Sequence, residues 1–244
     1  MDYAELITIH APPFNSTHCL YKLSTAVQST FTPTQSPFSP MPPILNTRTA
    51  WIFDMDGTLT ESLHDFPAIS RALGLPPNEP ILEALAQLSP PEIAAKETQL
   101  ANIERDIARQ ATPQPGAADL LSALKAQNKQ IGILTRNTKE IAHITLEACG
   151  LSDFFHPDHI LGRTCCPPKP EPTGILNLLS AWSCAPSEAV MTGDHRFDLI
   201  TGKNANVATV YLDPAGNFPF RDHADYAITH LDTLRRLSTN PNQA

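Results

Sequence analysis

No run of the roughly 20 apolar residues that a membrane-spanning helix requires occurs in this chain. Clusters of lysine and arginine are also missing, and 17 basic residues against 25 acidic ones leave a net charge of −8. Nucleic-acid backbones and anionic membrane surfaces are met by basic stripes, so this balance argues against both as partners. The five cysteines (Cys19, Cys149, Cys165, Cys166 and Cys184) include no CxxC pair and leave an odd count. That speaks against a disulfide framework or a zinc site and for a reducing cytoplasm. The adjacent Cys165 and Cys166 are compatible with a redox switch, while free thiols, packed or loosely exposed, are the simpler reading.

Residues 1–48 lack any sustained helical or strand period and carry only four charged side chains, Asp2, Glu5, Lys22 and Arg48. The stretch STFTPTQSPFSPMPP predicts an irregular or disordered leader. Its acidic start, MDYAELITIH, is unlike the basic opening of a signal peptide. A natural start at Met41 is the alternative, and the sequence alone does not separate the two.

From Thr49 onward the pattern changes. Short apolar strands are expected at Ala50–Asp54, Gln130–Thr135, His159–Gly162, Ala189–Gly193 and Ala208–Leu212, with a weaker one at Tyr226–Ile228. Helical patterns at Ala117–Gln127, Thr138–Cys149, Thr173–Trp182 and Asp198–Asn204 alternate with them. This alternation predicts an α/β fold, a three-layer doubly wound parallel sheet covered on both faces. Residues 61–113 break it, because they carry only helix signals. Pro67 opens one helix that ends at Gly74, Ile81, Leu82, Leu85 and Leu88 mark a second, and Ser89-Pro90-Pro91-Glu92 caps a third. The expected organisation is a leader over 1–48, an α/β core over 49–60 and 114–244, and a small all-helical insertion over 61–113.

The chemistry starts at WIFDMDGTLT, residues 51–60, where a buried-strand pattern ends on Asp54 and Asp56. A buried carboxylate costs several kcal/mol unless it is paired, hydrogen-bonded or metal-bound. Later strand ends supply what these two need. MTGDHRFDL places Asp194 and Asp198 after one strand, GILTRN places Thr135 after another, and KPEP supplies Lys169. In a parallel sheet the carboxyl ends of the strands share one crevice. Several carboxylates gathered there suit a hard divalent cation such as Mg2+, which takes oxygen ligands. Asp54 and Asp194 are the expected side-chain ligands, with Asp198 beside them orienting a water or a neighbour. Lys169 would balance residual charge and keep Asp54 ionised.

DMDGTLT, LTRN, KPEP and GDHRFD, in this order, resemble the four signature motifs of the haloacid dehalogenase-like superfamily of phosphotransferases. The resemblance spans Thr49 to Leu237 and is similar to the subfamily I, phosphoglycolate phosphatase-like branch with a short helical cap. It implies a Mg2+-dependent phosphatase acting on a small phosphomonoester through an aspartyl-phosphate. By the same resemblance Asp54 is the nucleophile and Asp56 the acid and base. The backbone carbonyl of Asp56 joins Asp54, Asp194 and Asp198 around the metal. Thr135, the amides of the Arg136-Asn137 turn and Lys169 would hold the phosphoryl group. A phosphomutase is the alternative activity, and a catalytically silent module of the same fold is a third. A dehalogenase is disfavoured because halide leaves unprotonated and needs no acid such as Asp56. Relatives usually carry Ala-Gly before the last strand where this chain has Ala205-Asn206, and asparagine keeps a left-handed turn accessible. Cap residues such as His64, Phe66, Arg71 or Arg109 could reach the crevice, but no spacing among them selects a substrate.

Overall fold

Six short parallel strands form one sheet in the order β3-β2-β1-β4-β5-β6 in the computed structural model, which describes residues 44–239. The strands are β1 (Ala50–Phe53), β2 (Gln130–Leu134), β3 (Ile160–Leu161), β4 (Ala189–Gly193), β5 (Ala208–Leu212) and β6 (Tyr226–Ile228). The leader up to residue 43, with the question of Met41, lies outside the described residues. β1 pairs with β2 on one side and β4 on the other, and helices cover both faces of the sheet, so all its residues are buried. This is why AWIF reads as a continuous apolar run and not as an alternating one.

Residues alternate between two apolar layers. Trp51, Phe53, Ile131, Ile133 and Val190 pack on one face against α4 (Ala117–Ala126), α5 (Lys139–Ala148) and α8 (Leu231–Ser238). Ala50, Ile52, Ala189 and Met191 pack on the other face against α6 (Thr173–Trp182). α7 (Arg196–Asn204) packs on β4 and β5, and its exit carries Asn206 at φ 57°. The asparagine thus adopts the left-handed turn expected of it. Beyond shifts of one residue at element ends, the structure departs from the sequence expectation at α7 and α8. α7 starts two residues early because the His195 side chain accepts from the Phe197 amide at its N-terminus. α8 was not anticipated, since only Leu231 and Leu234 of its eight residues meet the apolar layer.

Three helices lie between β1 and α4: α1 (Phe66–Leu73), α2 (Ile81–Leu85) and α3 (Pro90–Ala108). Local chemistry sets their ends. The Asp65 carboxylate accepts from the Ala68 amide at 2.9 Å to start α1, Gly74 ends it in a left-handed turn, and Glu92 accepts from the Ser89 amide at 3.1 Å to start α3. Their apolar faces meet each other in a separate cluster of Ile69, Leu73, Leu75, Ala84, Leu85 and Leu100. The strands of chain that enter and leave them run side by side, with the Glu61 amide donating to Thr112 at 3.0 Å and the Gln114 amide to Leu59 at 2.9 Å.

Two ion pairs fasten these helices to the sheet. Arg163, just after β3, donates to both carboxylate oxygens of Glu104 on α3 at 2.9 Å each. Arg136, just after β2, reaches Glu83 on α2 at 2.6 Å. The first pair is the more consequential, because only 11% of the Arg163 side chain and 8% of the Glu104 side chain is exposed. Removing one partner of such a pair strands a buried charge, which costs about 3–5 kcal/mol. Glu104→Ala is therefore expected to lower the urea midpoint strongly, and Glu104→Ala with Arg163→Met to recover much of the loss. A double variant as unstable as the sum of the two single ones would show that the pair is not coupled.

Candidate active site

At the end of β1 the Asp54 amide donates to the Thr192 carbonyl of β4 at 2.9 Å, which holds the carboxylate at the carboxyl edge of the sheet. The chain then turns tightly, and the amides of Thr58, Leu59 and Thr60 converge on the Met55 carbonyl at 3.2, 2.9 and 3.0 Å. Gly57 makes this turn possible twice over. Its φ is +80°, and a Cβ there would meet Asp194 Oδ2 at 2.2 Å. Gly193 plays the matching part at the end of β4, where a Cβ would lie 2.2 Å from the Asp198 side chain. The two glycines, one past β1 and one ending β4, let the Asp194 and Asp198 carboxylates that follow β4 crowd against the backbone.

Lys169 is the centre of the cluster. Its side chain is 2% exposed, and Nζ donates to Asp54 Oδ1 at 2.6 Å and to Asp198 Oδ1 at 2.5 Å. The second oxygen of Asp198 accepts the His195 amide at 2.9 Å, so this residue both caps α7 and anchors the lysine. Asp54, Asp194 and Asp198 each offer an oxygen within 4.8 Å of the others. An all-oxygen set of this kind, with more carboxylate than ammonium charge, fits a hard divalent cation such as Mg2+. Asp56 is held separately, its Oδ2 accepting from Asn137 Nδ2 at 2.7 Å. Thr135 is buried at the end of β2 beside this pair, and its Oγ1 accepts the Asn137 amide at 3.1 Å. That amide, expected to face a phosphoryl group, is spent on the turn itself, because a strand-end threonine bonds the backbone two residues on.

The electrostatics follow from burial. Asp54 is pushed up to about 6, first by desolvation and then by Asp198, with Lys169 pulling the other way. Asp56 is pushed up to about 7 by desolvation and by Asp54. Asp194 is raised well above the usual carboxylate range by burial, Asp54 and Asp198. Burial pushes the pKa of Lys169 down, but Asp198 and Asp54 outweigh it and raise it above the ordinary lysine value.

The cluster opens into a cleft of about 560 Å³ between the sheet edge and the three helices. His64 and Phe66 line it, as do Arg136, His195 and Arg196. Arg71 and Arg109 do not: Arg71 is an exposed residue in the last turn of α1, and Arg109 pairs with Asp106 on the surface. The buried Glu104–Arg163 pair also lines the cleft and was not foreseen. Its one sequence signal is that Arg163 follows a strand end directly. Among the described residues, no helix is long and apolar enough to cross a membrane.

Residues 51–212 match the sequence family described as haloacid dehalogenase-like hydrolase. A haloacid dehalogenase-like hydrolase domain-containing protein of Arabidopsis thaliana is 32% identical, over 76% of this chain and 82% of its own. A phosphoglycolate phosphatase of Rhodospirillum rubrum is 29% identical, over 67% of this chain and 78% of its own. A solved hydrolase from Pseudomonas syringae superposes with a TM-score of 0.65 at 23% identity, over 78% of this chain and 97% of its own, a likeness of fold.

The raised carboxylates set a pH dependence of stability. A carboxyl with a pKa of about 7 folded and 3.8 unfolded, as for Asp56, holds its proton in the folded state across that window. The unfolded state then binds fewer protons, so stability falls as pH rises from about 4 to 7. In chelator, the Asp56 contribution is expected to lower Tm across that range, and Asp56→Asn to flatten the slope. A slope unchanged in Asp56→Asn would contradict the assignment.

Proposed function

The chain belongs to the haloacid dehalogenase-like hydrolase family, and on that premise we propose that it is a Mg2+-dependent phosphatase that hydrolyses a small phosphomonoester through an aspartyl-phosphate on Asp54. The observation that carries the proposal is the position of Asp54 at the sheet edge, one oxygen held by Lys169, beside a protonatable Asp56.

Asp54 Oδ2 attacks phosphorus as the bond from phosphorus to the leaving oxygen breaks, which divides a hard displacement into two easier ones. Asp56 gives its proton to the departing alcohol. A pKa of about 7 suits this, because a general acid works best when its pKa lies near the working pH. Water then attacks the phosphorus of the aspartyl-phosphate, Asp56 takes the water proton, and Asp54 leaves as a carboxylate. The Asn137 side chain, donating from Nδ2, orients Asp56 through both steps. Lys169 and the Thr135 hydroxyl face the charge on the phosphoryl oxygens, where positioning and electrostatics supply most of the catalysis. Asp54, Asp194 and Asp198, with the Asp56 carbonyl, would hold Mg2+, which when bound offsets phosphoryl charge.

Asp54→Asn is expected to abolish phosphate release from a generic aryl phosphate. Asp56→Asn is expected to slow it by about 10²–10⁴-fold, the range typical of a general acid–base group. Chelator should stop turnover of the unmutated protein, and added Mg2+ should restore it. Full activity in Asp54→Asn would remove the nucleophile, and indifference to chelator would remove the metal.

A further inference from the structure

The half of the cleft away from the carboxylates is built for something larger and less polar than a two-carbon phosphate ester. Its volume of about 560 Å³ lies in the range of sites that enclose ring-sized ligands. Phe66, Ile69, Ile81 and Leu82 line it from the helices, and Phe197 and Phe220 from the sheet edge. Phe66 is 56% exposed, a large aromatic surface left uncovered at the mouth of a pocket. It lies parallel to the His64 ring, with centroids 5.4 Å apart and planes 14° apart. Across the cleft, the Arg136 guanidinium lies over the Phe197 ring at 4.3 Å.

The charges point the same way. Lys169, Arg136 and Arg163, the cations that could receive a second anion, each already end on a carboxylate. Arg196 is the remaining guanidinium, and it is exposed and spread over Phe197 at 5.3 Å. Glu79 adds negative charge to the lining, where Glu104 is balanced by Arg163. A leaving group with its own carboxylate or phosphate would meet carboxylates and, apart from the solvent-exposed Arg196, cations that are already paired.

Resting on the phosphatase reading, we infer that the substrate is a phosphomonoester of an uncharged alcohol that presents a ring-sized apolar face to Phe66 and Phe197. The phosphoryl group sits at the aspartates, and the ring fills the gap between the two aromatic side chains. Specificity comes from buried apolar area and from rejection of a second anion.

Three esters of primary alcohols test this with the leaving oxygen held constant: ethyl phosphate, 2-phenylethyl phosphate and phosphoglycolate, each with Mg2+ and scored by kcat/KM. The phenylethyl ester is expected to exceed both others by about tenfold or more, the yield of burying one phenyl ring. Phe66→Ala, a change at an exposed position, is expected to collapse the ratio of phenylethyl to ethyl ester. Phosphoglycolate as the best of the three would overturn the inference while leaving the phosphatase reading in place. A ratio unmoved by Phe66→Ala would remove the ring from this pocket. Failure of all three esters to release phosphate would overturn the phosphatase reading and the inference together.

Discussion

A single buried ammonium holds this site together. Lys169 is enclosed almost completely, and its Nζ lies within hydrogen-bond distance of carboxylates from β1 and α7. Alone, a lysine in such a place would lose its proton, and the aspartates would gain theirs. The two carboxylates raise the pKa of the lysine and so hold its proton, but the balance is incomplete, since Asp194 joins the cluster without an ammonium of its own. The excess negative charge is the physical reason to expect a divalent cation. Burial first, and this excess charge after it, raise the pKa values of Asp54, Asp56 and Asp194.

The sheet makes this arrangement available. Because β1 lies between β2 and β4, the loops that follow those three strands bring Asp54, Thr135 and Asp194 to one edge. Gly57 and Gly193 then allow an approach between carboxylates and backbone that any Cβ would block. The helices inserted after β1 close over that edge and keep their own apolar cluster, so the surface facing the leaving group can vary without disturbing the reacting groups.

Much of this was legible in the sequence. The apolar runs of β1, β4 and β5 are bounded by clear punctuation, and the Ser89–Glu92 cap announced α3. The pairing of Asp54 with Asp194 followed from strand ends in a parallel sheet. What stayed hidden depends on contacts between distant segments. Glu104 sits on a helix whose exposed face is rich in charge, and nothing local says that it turns inward to Arg163. The Asn137 amide was expected to face a phosphoryl group, but a hydroxyl two residues earlier claims it. α8 carries too few apolar residues for its period to stand out, and it becomes a helix through packing on α4.

The central claim is that Asp54 itself carries the phosphoryl group. Acid-quenched mass spectrometry of Asp56→Asn during turnover of an activated aryl phosphate tests it most directly. A good leaving group needs no acid, while release of the intermediate still needs a base. The account requires one phosphoryl group on the peptide that contains Asp54, absent when Asp54 is also changed to Asn. Phosphate released with that peptide unmodified throughout, or with the label on another residue, would contradict it.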